Sequence, residues 1–104
     1  MYFFNKYFSI YGSGTFMDLS KFLKEKRLQA GLSQGAVAKK LGYTSPQFVS
    51  NWERGLSQPP VATLRKIAQI YNISANDMFD VMLKATIDQV TAELTEKFYK
   101  QKAR

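Results

Sequence analysis

From Asp18 onward the apolar positions recur with the period of a helix. Leu19, Phe22, Leu23 and Ala30 fall on one stripe at i, i+3, i+4 and i+11, while Lys21, Lys24 and Glu25 face away. Gly31 stands where such a helix stops, because glycine accepts the left-handed conformation of a helix C-terminus. Ser33 is placed to cap a second helix, Gln34 to Leu41, with Val37, Ala38 and Leu41 as its buried face. Gly42 ends it. Ser45-Pro46 predicts the start of a third helix, since serine caps and proline suits the first helical position. That helix runs to Arg54 and stops at Gly55.

Gln58-Pro59-Pro60 reads as a rigid link. Beyond it, Val61, Leu64, Ile67, Ala68 and Tyr71 mark a fourth helix ending near Asn72. Ser74-Ala75-Asn76-Asp77 has the form of a capping box, with aspartate in place of glutamate, and a fifth helix follows with Met78, Phe79 and Met82 inward. No stop signal appears after Leu83. Instead Phe79, Leu83, Ile87, Val90, Leu94 and Phe98 continue as an apolar stripe, flanked by Thr86, Asp88, Gln89, Thr91 and Glu93. Lys84 to Gln101 makes about 27 Å of helix, longer than a small domain needs to close its own core. The pattern predicts an all-α fold of four to five short helices in a compact bundle, residues 17–83, with a longer C-terminal amphipathic helix over 84–104. Two copies packed on the stripe 79–98 would bury it as a homodimer; the alternative is a helix folded back on its own domain.

Composition narrows the function. The 104 residues allow one domain, and 45% apolar against 22% charged is the balance of a globular chain. Cysteine and histidine are both absent. That excludes disulfides, thiol nucleophiles, Ser-His triads and the usual zinc ligands. No spaced carboxylate pair or phosphate loop stands out, and Asp77 and Asp80 suit a helix start. No catalysis, metal or cofactor is expected. The net charge of +7 is concentrated: residues 17–73 hold nine bases and three acids. Such an excess points to a polyanion, by attraction and counterion release.

Residues 1–16 form an aromatic-rich N-terminal appendage with seven aromatics but no unbroken apolar core, a poor signal peptide. No segment has the roughly 18 apolar residues of a membrane span. A cytoplasmic location is expected, and Met17-Asp18-Leu19 is a candidate second translation start.

The second and third helices, joined by a glycine-containing turn, form a candidate helix-turn-helix, LSQGAVAKKLGYTSPQFVSNWERG. Val49 and Trp52 can face the core while Gln47, Ser50, Asn51 and Arg54 make an outward stripe suited to reading base edges. "KEKRLQAGLSQ" at 24–34, "VAKKLGY" at 37–43, "SNWERG" at 50–55 and "PPVATLRKIAQIYNI" at 59–73 resemble the Xre/Cro family of bacterial and phage regulators. The resemblance implies a lambda-repressor-like fold, with helix 46–54 in the major groove of double-stranded operator DNA. It departs from the family in one respect: Gly42 to Val49 spans seven residues, one more than the commonest spacing. Resemblance puts Pro46, Gln47 and Asn51 near the base-reading positions, and Pro46 cannot hydrogen-bond a base, which leaves Gln47 and Asn51, with Ser50 beside them. Gln34, Lys39, Lys40, Tyr43, Thr44, Ser45 and Arg54 are the expected backbone contacts, and the resemblance implies that Gln34 also braces the reading helix. Arg27 and Glu53 are implied as a partly buried ion pair tying the first helix to the third. The resemblance implies a transcriptional regulator, here a repressor by steric occlusion; the alternative is an antitoxin or anti-repressor whose main partner is another protein.

Overall fold

The computed structural model describes residues 18–102, and among them every regular element is helical. The elements are α1 (Leu19–Gln29), α2 (Gln34–Leu41), α3 (Gln47–Glu53), a 3-10 turn (Val61–Thr63), α4 (Leu64–Tyr71) and α5 (Ala75–Lys102). The aromatic segment 1–16 and the candidate start at Met17 lie outside the described residues.

Local chemistry sets these boundaries. Asp18 caps α1, its carboxylate accepting from the Lys21 N–H at 2.9 Å and from the Ser20 hydroxyl at 2.8 Å. The Lys21 N–H, with help from the Ser20 hydroxyl, holds the Asp18 carboxyl below the usual carboxylate range. Ser33 caps α2 by accepting from the Ala36 N–H, and Ser74 caps α5 by accepting from the Asp77 N–H. The four shorter helices end alike. In α2 the Tyr43 N–H donates to the Ala38 carbonyl at 2.9 Å and the Gly42 N–H to the Lys39 carbonyl at 3.1 Å. Gly42 sits at φ 87°, and a Cβ built there would meet nothing within 4 Å. Its requirement is thus conformational and not one of space. The same pair of bonds closes α1 at Gly31, α3 at Gly55 and α4 at Asn72.

Two helix starts and one core position differ from those the sequence predicts. Pro46 precedes α3 and does not open it: Ser45 Oγ accepts from the Gln47 N–H at 3.3 Å, so the helix begins one residue later and ends at Glu53, with Arg54 as its cap. The chain after Pro60 forms a 3-10 turn, which leaves Val61 71% exposed and starts α4 at Leu64. Phe79 is not inward but 48% exposed, and Val81 takes the core position beside Met78 and Met82. The expected domain boundary at 83/84 falls inside one continuous helix, α5.

The core joins Leu19 and Leu23 of α1, Val37 and Ala38 of α2, Val49 and Trp52 of α3, Leu64, Ile67 and Tyr71 of α4, and Met78 of α5. Trp52 is 3% exposed and its ring meets Tyr43 edge-on at 6.0 Å. One polar network crosses this core. Arg27 Nε donates to Glu53 Oε2 at 2.7 Å and Nη2 to Oε1 at 2.9 Å, a two-pronged pair whose side chains are 9% and 3% exposed. Arg27 Nη1 donates to the Leu32 carbonyl at 2.8 Å, and Gln34 Nε2 to Glu53 Oε1 at 3.0 Å. The hydrogen bonds to Glu53 push the Arg27 pKa above its ordinary value. Burial pushes the Tyr71 phenol up, and the nearby Glu53 carboxylate adds to the effect.

Two substitutions separate the apolar and polar contributions. Trp52→Ala removes a buried indole and lowers stability by about 3–5 kcal/mol in urea or thermal melts. Glu53→Ala leaves the Arg27 charge buried without its partner and costs about 3–5 kcal/mol, whereas an exposed pair would cost under about 1 kcal/mol. The double variant Arg27→Met/Glu53→Leu is closer to the parent than Glu53→Ala alone, because no charge is then stranded.

Candidate nucleic-acid interface

α2 and α3 pack as a helix-turn-helix. The buried face of α3, Val49 and Trp52, fixes which residues point outward. Gln47 lies exposed one turn before Asn51, and Gln47 Nε2 donates to Asn51 Oδ1 at 2.8 Å. The bond aligns the two amides. Gln47 keeps its Oε1 acceptor and a second N–H, and Asn51 keeps its NH2 donors. An acceptor and a donor side by side are what the adenine major-groove edge, N6 and N7, requires. Ser50 and Asn51 are half-buried and Arg54 is exposed. The outward stripe is therefore present, with Gln47 as its most accessible amide.

The structure gathers four of the expected backbone-contacting residues in one place. Lys39, Tyr43, Thr44 and Ser45 line a shallow depression of about 400 Å³, together with Gly35, Ala38 and Pro46. Lys40 and Arg54 are exposed but do not line it. Gln34 adjoins it at the start of α2, with one amide hydrogen committed to Glu53 and its second hydrogen and Oε1 left for other partners. Its bond to Glu53 ties the start of α2 to the end of α3. The expected pair Arg27–Glu53 is present and does not face outward.

Phe48 was missed by the sequence pattern. It is 55% exposed on α3, next to Gln47, and its ring packs on Tyr43 with centroids 4.9 Å apart. Helical period gave no signal for it, because a residue four before Trp52 falls on the same face as the buried stripe. Among the described residues no cluster of three or more acidic, histidine or cysteine residues is placed to hold a metal ion. No helix among them is long and apolar enough to cross a membrane.

A family model described as helix-turn-helix matches residues 23–78, from the middle of α1 into the second turn of α5. The chain is also 33% identical over 91 residues to the HTH-type transcriptional regulator ImmR of Bacillus subtilis (strain 168). That alignment takes in 78% of this chain and 71% of that protein. The matched stretch contains the α2–α3 pair, the Arg27–Glu53 bridge and the outward amides, and with them the chain belongs to the Xre/Cro family of helix-turn-helix regulators.

Proposed function

We propose that the protein is a sequence-specific double-stranded DNA-binding transcriptional regulator that inserts α3 into the major groove and represses by occluding its operator. The observation that carries this reading is the pair of bonded amides, Gln47 and Asn51, standing outward on a helix locked from behind by Arg27 and Gln34. Gln47, Ser50 and Asn51 then read base edges, with the exposed Phe48 ring suited to a thymine methyl. Lys39, Tyr43, Thr44 and Ser45 take the flanking phosphates through the depression they line, with Gln34, Lys40 and Arg54 at its margins. The relative's printed description as a transcriptional regulator and the basic excess over residues 17–73 support the same partner.

The active species in this reading is a cytoplasmic homodimer formed through the stripe 79–98, needing no cofactor. Two copies present two α3 helices to half-sites about one turn of DNA apart. The exposed positions along the far half of α5 support it: Val90, Leu94 and Phe98 are 47%, 61% and 61% exposed. The function is binding and not catalysis.

Selection of duplexes from a random pool at about 150 mM salt, followed by sequencing, tests the reading directly. A shared two-part motif is expected; recovery of unrelated sequences would overturn it. On the selected site Gln47→Ala and Asn51→Ala each cost about 1–3 kcal/mol and leave random DNA nearly unaffected. Lys39→Ala weakens both kinds of site alike. The logarithm of the binding constant falls with the logarithm of salt by roughly 0.9 per phosphate contacted, measured by anisotropy titrations between 50 and 300 mM.

A further inference from the structure

We infer that two copies of the chain pair antiparallel along α5, with the Phe98 end of each helix seated against the Phe79 end of the other. This rests on the homodimer reading above and adds its direction and register. Residues that pack α5 onto its own domain, Met78, Val81 and Met82, are buried and lie on one side of the helix. Phe79, Leu83, Ile87, Val90, Leu94 and Phe98 run along the other side, none of them fully covered. A second copy can therefore approach the stripe without displacing the core.

The stripe is complementary to its own reversal. Turning the helix end for end about the point between Asp88 and Gln89 brings Phe79 level with Phe98, Leu83 with Leu94 and Ile87 with Val90. Every apolar position of the stripe then meets another. The same turn sets the acidic start of one helix beside the basic end of the other, Asp77 level with Lys100 and Asp80 with Lys97, and it also brings Lys84 level with Glu93. A parallel pair would instead align acidic start with acidic start and basic end with basic end, and its helix dipoles would also oppose association.

The fold supplies a seat for the arriving end. Beside Phe79 a groove of about 340 Å³ is lined by Val61, Leu64, Arg65, Ala75 and Asn76. Val61 is the most exposed large apolar side chain at this site. In the antiparallel register the partner's Phe98, which already packs edge-on against Tyr99 at 5.3 Å, lies over this groove.

The chain has no cysteine, so engineered ones report the register without interference. The full chain carries Leu83→Cys in one preparation and Leu94→Cys in another; each is oxidised alone and after mixing. Antiparallel pairing holds like positions apart, Leu83 from Leu83 by about 16 Å along the axis, beyond disulfide reach. The expected result is a covalent dimer in the mixture and little in either preparation alone. The pair Phe79→Cys and Phe98→Cys repeats the test at the ends, in case either central variant folds poorly. Covalent dimers from each single variant alone would overturn the antiparallel register while leaving the homodimer standing. Sedimentation of the unaltered chain separates the two readings: a monomer at micromolar concentration overturns both, and leaves the stripe to residues 1–16 or to a foreign chain.

Discussion

Everything at the candidate interface depends on how Glu53 is held. It is the last residue of a seven-residue helix, too short to be stable by itself. Its two carboxylate oxygens receive three N–H donors, two from Arg27 on α1 and one from Gln34 on α2. The guanidinium is planar, so a two-pronged bond fixes orientation as well as distance, which a lysine would not do. A third Arg27 nitrogen is satisfied by the carbonyl of Leu32, immediately beyond the end of α1. Among the described residues no buried side-chain polar atom is left without a partner. Desolvation offsets much of the attraction in a buried ion pair of this kind, so its fixed geometry is what distinguishes it from an apolar contact. Here the pair holds the rotation of α3 about its own axis that its buried face, Val49 and Trp52, also requires.

Much of the fold was legible because its stops are chemical. Gly31, Gly42, Gly55 and Asn72 each adopt positive φ, and residue type alone marks each of them in the sequence. The sequence period marks Asp18 only as the start of α1, and its capping role comes from the structure. The absence of a stop after Leu83 was equally informative, since α5 runs on to Lys102. The misread positions have a different origin. Helical period finds an apolar stripe but not the neighbour that covers it. Val61 and Phe79 both fit the periodicity, yet Val61 sits in a 3-10 turn set by Pro60, and Phe79 belongs to the outer stripe of α5. Such assignments depend on crossing angles, which no local pattern contains.

The site was legible in part for the same reason. Gln47 and Asn51 are four residues apart, so a helix brings them together whatever its surroundings. The depression that joins Gly35 to Lys39 and to Thr44 depends on α2 meeting the turn closely, and Ala38, 2% exposed at that crossing, is what allows it. The role of Gln34 as a brace came from family resemblance and not from its spacing. Nothing in the spacing alone distinguishes a glutamine that meets Glu53 from one that faces solvent.

α5 connects the two halves of this structure. Its first turns pack on α4 and on α1, and α1 is the helix whose Arg27 holds Glu53. The same helix continues without interruption into the exposed stripe, so no flexible linker separates the proposed pairing surface from the reading surface. With a linker, two reading helices would sample many separations, and each half-site would be bound almost independently. With a continuous helix, the separation is fixed by helix length and register. In the proposed dimer, an operator with the matching spacing would satisfy both copies at once, and one with half-sites displaced by a fraction of a turn would not. In the proposed dimer, selectivity for spacing would therefore follow from the same feature that leaves the sequence without a stop signal after Leu83.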